Sequence, residues 1–104
     1  MTQCLVYMTA PNDAEARSIA RVLVETRLAA CVNIIPGMRS VYRWEGEIHE
    51  DAEIVLIAKT RRERVPALTA KIKDIHSYNR PCVVSIDIDG GNPDFLDWID
   101  AQTG

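Results

Sequence analysis

Two histidines, three cysteines and a run of carboxylates are the groups in this 104-residue chain through which chemistry could pass. Cys31 and His76 would make a thiol nucleophile and its base if folding brought them together. Cys31, however, opens the apolar stretch Cys31-Val32-Asn33-Ile34-Ile35, where a thiol behaves as a small buried hydrophobe. Neither a glycine-rich phosphate loop nor a paired-carboxylate acid/base arrangement is present, so the reading is a non-enzyme with no catalytic residues. Glu45, Glu47, Glu50, Asp51 and Glu53 could collect hard divalent ions weakly. Alternate carboxylates on a ribbon also form the solvated face that keeps a strand edge from aggregating. His49, in the same polar segment, reads as a surface residue, and the basic Lys59-Thr60-Arg61-Arg62-Glu63-Arg64 reads as a solvated corner. Tyr42 and Trp44 stand apart, because they lie together beside a tight turn in a chain with only two tryptophans, three tyrosines and one phenylalanine.

The elements that must position these groups follow from pattern. A length of 104 residues is one domain's worth, residues 1–104. A hydrophobic content of 47% and a charged content of 26% are those of a globular chain, and the longest apolar run, Ile54 to Ala58, is far too short to cross a membrane. The opening Met1-Thr2-Gln3-Cys4-Leu5-Val6-Tyr7 has no basic region or sustained apolar stretch, which makes a cytoplasmic location the expectation. The sparse cysteines lack paired spacing and suit neither a disulfide framework nor a zinc knuckle. A net charge of −3 and the lack of an aromatic RNP motif argue against nucleic acid as a partner.

Leu5 to Thr9 reads as a strand. Asn12 with Glu15 forms a capping-box pattern for an amphipathic helix to about Leu28, with Ala16, Ile19, Ala20 and Leu23 on one face. Ala30 to Ile35 and Met38 to Glu45 read as extended, with a bulge at Pro36-Gly37; Glu45-Gly46 is a turn and Glu47 to Thr60 the return strand. Pro66 places the start of a second helix near Arg62, and its apolar Val65, Leu68, Ile72 and Ile75 carry it to about His76. After the loop Ser77 to Pro81 come a strand, Cys82 to Ile88, and a short helix opened by Asn92-Pro93. The order βαββαβ plus a C-terminal helix predicts an α+β, ferredoxin-like α/β sandwich with both main helices on one face of a four-stranded antiparallel sheet.

The hairpin is too long for its own domain. A return strand of about 14 residues reaches about 46 Å, against a diameter of roughly 33 Å for a globule of this length. Tyr42 and Trp44 share a face of the distal half. Because a bare two-stranded ribbon is marginal in water, the pair is expected to be buried against another copy of the chain.

Leu28 to Gly37 followed by Ser40-Val41-Tyr42-Arg43-Trp44-Glu45-Gly46-Glu47-Ile48 closely resembles the signature of the CutA family of divalent-cation tolerance proteins. Lys59-Thr60, the pattern His76-x-Tyr78-x-x-Pro81, and Gly91-Asn92-Pro93 ahead of Leu96-Asp97-Trp98 extend the resemblance over essentially the whole chain. The resemblance implies a homotrimer with Tyr42 and Trp44 at its interface, an architecture related to the PII signalling proteins, and a link to tolerance of copper and other divalent cations. It gathers Tyr42, Trp44, Lys59, His76 and Tyr78 near a cleft between subunits, where aromatic walls, one cation and an imidazole would suit a small anion. Family members with proposed copper sites carry a cysteine and a histidine pair at positions that here are Met8 and Ile75-His76. Met8 and His76 are therefore the metal candidates for copper or another divalent ion, a set that needs a third ligand. The loop departs from the family pattern at Ser77, Asn79 and Cys82.

Overall fold

A computed structural model describes residues 2–104; Met1, with which the single-domain span 1–104 begins, lies outside the described residues. The order is β1 (Gln3–Ala10), α1 (Asp13–Glu25), β2 (Cys31–Trp44), β3 (Glu47–Arg61), a 3₁₀ turn (Arg62–Arg64), α2 (Val65–Ile75), β4 (Val83–Asp87) and α3 (Pro93–Gln102). The strands form one antiparallel sheet in the order β2-β3-β1-β4, the ferredoxin-like arrangement expected from the element order.

Alternation on the strands sorts residues to two faces. Val6, Met8 and Ala10 of β1 and Leu56 and Ala58 of β3 point to the helix-covered side. There they meet Ala16, Ile19 and Leu23 of α1 and Leu68 and Ile72 of α2. Each large side chain so buried contributes about 1.5–3 kcal/mol. Thr60, fully buried at the edge of this core, donates its hydroxyl proton to the Leu28 carbonyl at 2.7 Å.

Asn12 caps α1 by accepting from the Glu15 amide at 2.8 Å. The helix ends at Glu25, short of the expected Leu28, because Arg27 takes a left-handed φ of 61°. The Leu28 amide then donates to the Leu23 carbonyl and the Arg27 amide to the Val24 carbonyl, a Schellman closure built on arginine where glycine is usual. The end of α1 and the start of α2 apart, the boundaries fall within a residue or two of expectation; α2 starts at Val65, three residues after the expected Arg62. The 3₁₀ turn at Arg62–Arg64 precedes α2, so that Pro66 sits in the first α-helical turn.

The register of β2 on β3 shifts between Ile35↔Val55 and Met38↔Glu53, so one strand advances three residues while the other advances two. This is the bulge expected at Pro36-Gly37, with Gly37 at φ 85°. At the tip, Glu45 and Gly46 both have positive φ, the two-residue type I′ geometry that matches strand twist. The chain extends 44 × 25 × 22 Å, its long axis double its short one.

The helix-free face of the sheet is apolar and open: Tyr7, Ile35, Val84 and Ile86 are all exposed there. Farther along the hairpin, Tyr42, Trp44, His49, Asp51 and Glu53 share one face, while Val41 and Ile48, 66% and 61% exposed, lie on the other.

Candidate functional site

The segment between α2 and β4 crosses the end of β1 and meets the distal hairpin. Thr9, Tyr42, Trp44, Glu53, Tyr78, Asn79, Arg80 and Cys82 enclose a cleft of about 400 Å³ between them. That is within the range of small-ligand sites, roughly 300–1,000 Å³.

Glu53 is the polar centre of the cleft. Its Oε2 accepts from the Tyr78 hydroxyl at 2.9 Å and its Oε1 from the Ser40 hydroxyl at 2.5 Å. A carboxylate offers about four acceptor positions, so this pair of bonds leaves capacity for a ligand. Asp51, two residues back on the same strand face, accepts from the Tyr42 hydroxyl at 2.5 Å. Burial together with the Glu53 bond and charge raises the Tyr78 phenol well above its ordinary range, and the Asp51 bond raises Tyr42; both stay neutral donors. Burial, then Glu53, raises the Cys82 thiol as well. The cation of the cleft is Arg80, whose guanidinium lies 5.8 Å from the Trp44 ring centroid.

His76 stands behind Tyr78, with ring centroids 4.6 Å apart and its side chain fully buried. Its Nδ1 accepts from the Tyr78 amide at 3.0 Å, which assigns the ring proton to Nε2, and Nε2 donates to the Thr9 carbonyl at 2.8 Å. Both nitrogens thus hold the loop onto β1. Glu15, whose carboxylate is 3.3 Å from Nδ1, accepts from the Ser77 amide and hydroxyl at 3.0 and 2.9 Å. Burial alone would raise Glu15, but the Ser77 donors and the His76 imidazole outweigh it and hold the carboxyl below its ordinary value.

Of the residues expected at a cleft, Tyr42, Trp44 and Tyr78 come together, and His76 supports them from within. Lys59 does not join them in this chain. It lies six residues along β3 from Glu53, roughly 20 Å at about 3.3 Å per residue, with Nζ at 2.5 Å from the Asn33 side-chain oxygen and 3.6 Å from Cys31 Sγ. Met8 and His76 do not make a metal site as they stand: Met8 is 1% exposed inside the hydrophobic core, and His76 has no ring nitrogen to spare. Among the described residues no cluster of three or more His, Cys, Asp or Glu is arranged to hold a metal ion. Cys31 and His76 are likewise not paired; the contact of Cys31 is Lys59. Tyr42 and Trp44 keep 41% and 40% of their surface exposed. Glu53 was legible only as one of five carboxylates, and Arg80 carried no signal, since a loop arginine is unremarked until its Trp44 partner is known.

A profile of the CutA1 divalent ion tolerance proteins matches residues 4–102. The chain belongs to that family. It is similar to the divalent-cation tolerance protein CutA of Thermus thermophilus, 47% identical over 100 residues covering 96% of this chain and 97% of that one. It is 44% identical over 99 residues to the protein named CutA 1, chloroplastic, of Oryza sativa; the match covers 95% of this chain and 56% of that relative, so the chain spans about half its length. The structure of the Archaeoglobus fulgidus divalent cation tolerance protein CutA, described as periplasmic, superposes with a TM-score of 0.95 at 43% identity, covering 98% of this chain and 99% of that one.

These CutA proteins correct the expected compartment. The cytoplasmic reading rested on the lack of a leader pattern in the first residues, yet relatives of this similarity are named chloroplastic and periplasmic. No helix among the described residues is long and apolar enough to cross a membrane. The names describe tolerance proteins and not enzymes.

Proposed function

We propose that this CutA-family chain acts in divalent-cation tolerance as a homotrimer of single-domain subunits that binds its ligand without catalysis, in the cleft between the hairpin and the 78–82 loop. The ligand is a divalent cation, copper included, held weakly through Glu53 with Asp51 beside it and water completing the shell. The observation that carries this reading is the Glu53 carboxylate, set at the cleft wall with acceptor capacity left and neutral phenols around it. The trimer is supported by the open apolar face of Tyr7, Ile35, Val84 and Ile86 and by a hairpin that makes the chain 44 Å long. In the assembly, Tyr42 and Trp44 meet a neighbouring subunit, and a neighbour is the means by which a Lys59 could reach a cleft.

Titration of the assembled protein with Cu(II) or Zn(II) should give saturable binding that Glu53→Gln weakens and His76→Asn leaves in place. Loss in the His76 variant with retention in the Glu53 variant would return the site to the imidazole. A second reading, a PII-like module that takes a small anion, is favoured by one observation, the Arg80 guanidinium at the cleft. Calorimetry with nucleotides and small organic anions, compared between the parent and Arg80→Ala, decides it.

A further inference from the structure

The three cysteines sit in three different settings. Cys4 is buried and donates to the Asp87 carboxylate at 3.4 Å; burial, then Asp87, pushes its thiol up to about 11. Cys82 is half-buried with the Glu53 charge nearby, and burial followed by that charge raises it too. A carboxylate neighbour disfavours the thiolate, which is the form that reacts. Cys31 is the one with an amine in contact: Lys59 Nζ lies 3.6 Å from its Sγ. Both side chains are half-buried, so Cys31 is not the enclosed hydrophobe that its apolar stretch suggests.

The strands hold this pair in place. Cys31 and Lys59 stand directly opposite each other across β2 and β3, a placement that sets Cβ atoms about 4.5–5.5 Å apart. The backbone is pinned on both sides of the pair. The Ala30 amide donates to the Lys59 carbonyl at 2.8 Å, and the Thr60 hydroxyl donates to the Leu28 carbonyl at 2.7 Å. Asn33, next along the same face of β2, accepts from Nζ at 2.5 Å through its side-chain oxygen and keeps the amine beside the sulfur. The separation of 3.6 Å lies just beyond the roughly 3–3.5 Å of reacting atoms poised for attack, and the flexible lysine stem closes the difference.

We propose that Cys31 and Lys59 form a reversible covalent bridge, a sulfenamide, when the protein meets hydrogen peroxide. The Cys31 thiolate attacks one peroxide oxygen and the O–O bond breaks. Sulfur is oxidised by two electrons to the sulfenic acid, and the peroxide is reduced, its second oxygen leaving as hydroxide. That hydroxide takes a proton from the Lys59 ammonium and becomes water. The freed amine then attacks the sulfur: the S–N bond forms, the S–O bond breaks, and the departing hydroxyl leaves as water with one amine hydrogen. One peroxide is consumed and two waters are released. A sulfenic acid condenses in this way with whichever thiol or nitrogen is in reach, and the group in reach of Cys31 is an amine. A free thiol reverses the bridge by attacking the sulfur and returning the amine to Lys59; a second thiol resolves the mixed disulfide to the Cys31 thiol. The bridge keeps Cys31 from the irreversible sulfinic stage. It also replaces the Lys59 ammonium with a neutral nitrogen, so the charge at the base of the hairpin follows the redox state.

Mass spectrometry of the folded chain treated with hydrogen peroxide, its remaining thiols blocked with iodoacetamide before trypsin digestion, tests this. The bridge is expected as a loss of two hydrogen atoms per chain and as a joined peptide of residues 28–39 and 44–61, because trypsin does not cut at a bridged Lys59. Dithiothreitol should reverse both. Lys59→Arg keeps a cation beside the sulfur but offers no condensing amine; it should abolish the bridge and leave Cys31 to advance to the sulfinic acid. Cys31→Ser should abolish the bridge as well, and far-UV circular dichroism confirms that both variants fold. A disulfide loses the same two hydrogens but joins two cysteine peptides and persists in Lys59→Arg, and that result would overturn the proposal. So would a treated parent whose Cys31 is recovered as the thiol or the sulfinic acid, or a joined peptide that retains an oxygen atom.

Discussion

Replacing His76 with alanine distinguishes an imidazole that ties a loop to a strand from one that waits for metal. The substitution leaves the Thr9 carbonyl and the Tyr78 amide without their partners at a site where the imidazole is fully buried. A buried polar group left unpaired costs about 1–3 kcal/mol. Two such groups, the second only partly buried, together cost about 2–4 kcal/mol. In a domain of roughly 100 residues each kcal/mol lowers the midpoint by about 4–8 °C, so thermal unfolding at fixed chain concentration should show a fall of at least about 8 °C. The Tyr78 hydrogen bond to Glu53 should loosen with its loop. A His76→Ala chain that melts with the parent, and has lost metal binding when titrated well below its midpoint, would refute the structural role.

Glu15 gives a pH signature. Its folded-state pKa is lowered, so the unfolded chain takes up its proton first; the stability it supplies is complete above the ordinary value of 4.5 and is lost as pH falls through the folded value. Glu15→Gln should flatten the dependence of the melting midpoint below pH 5, and an unchanged slope would remove Glu15 from the account. Cys4, raised to about 11 by burial and then by its hydrogen bond to Asp87, should resist thiol reagents at pH 8 in the folded chain; modification as fast as in denaturant would contradict this. Trp44→Ala removes the ring beneath Arg80, worth about 0.5–1 kcal/mol at an exposed site. It should weaken assembly much more than Arg80→Ala does, and equal effects would confine Trp44 to the cleft.

Periodicity and turn chemistry made the fold legible. Ala16, Ile19, Ala20 and Leu23 marked the buried face of α1, Pro36-Gly37 the bulge, Glu45-Gly46 the turn and Asn92-Pro93 the start of α3. The end of α1 was not legible because the left-handed residue that closes it is Arg27, and non-glycine residues give no composition signal for that conformation. The site was half legible. Tyr42 and Trp44 declared themselves through strand parity, but the cleft depends on how the seven-residue connection 76–82 crosses the hairpin, which no local pattern encodes. His76 looked like a ligand because unpaired imidazoles bind metals; its partners are a backbone carbonyl and a backbone amide, which a sequence cannot name. Lys59 fell outside the protomer's cleft for a geometric reason, the rise per residue along β3.

The most direct test of the cation-binding cleft is calorimetric titration of the assembled protein and of Glu53→Gln with Cu(II), below the melting midpoint of both. Saturable binding at one ion per chain, weakened by about tenfold or more when the carboxylate becomes an amide, is the predicted result. Identical isotherms for the two proteins, or no saturable binding in the parent, would contradict it.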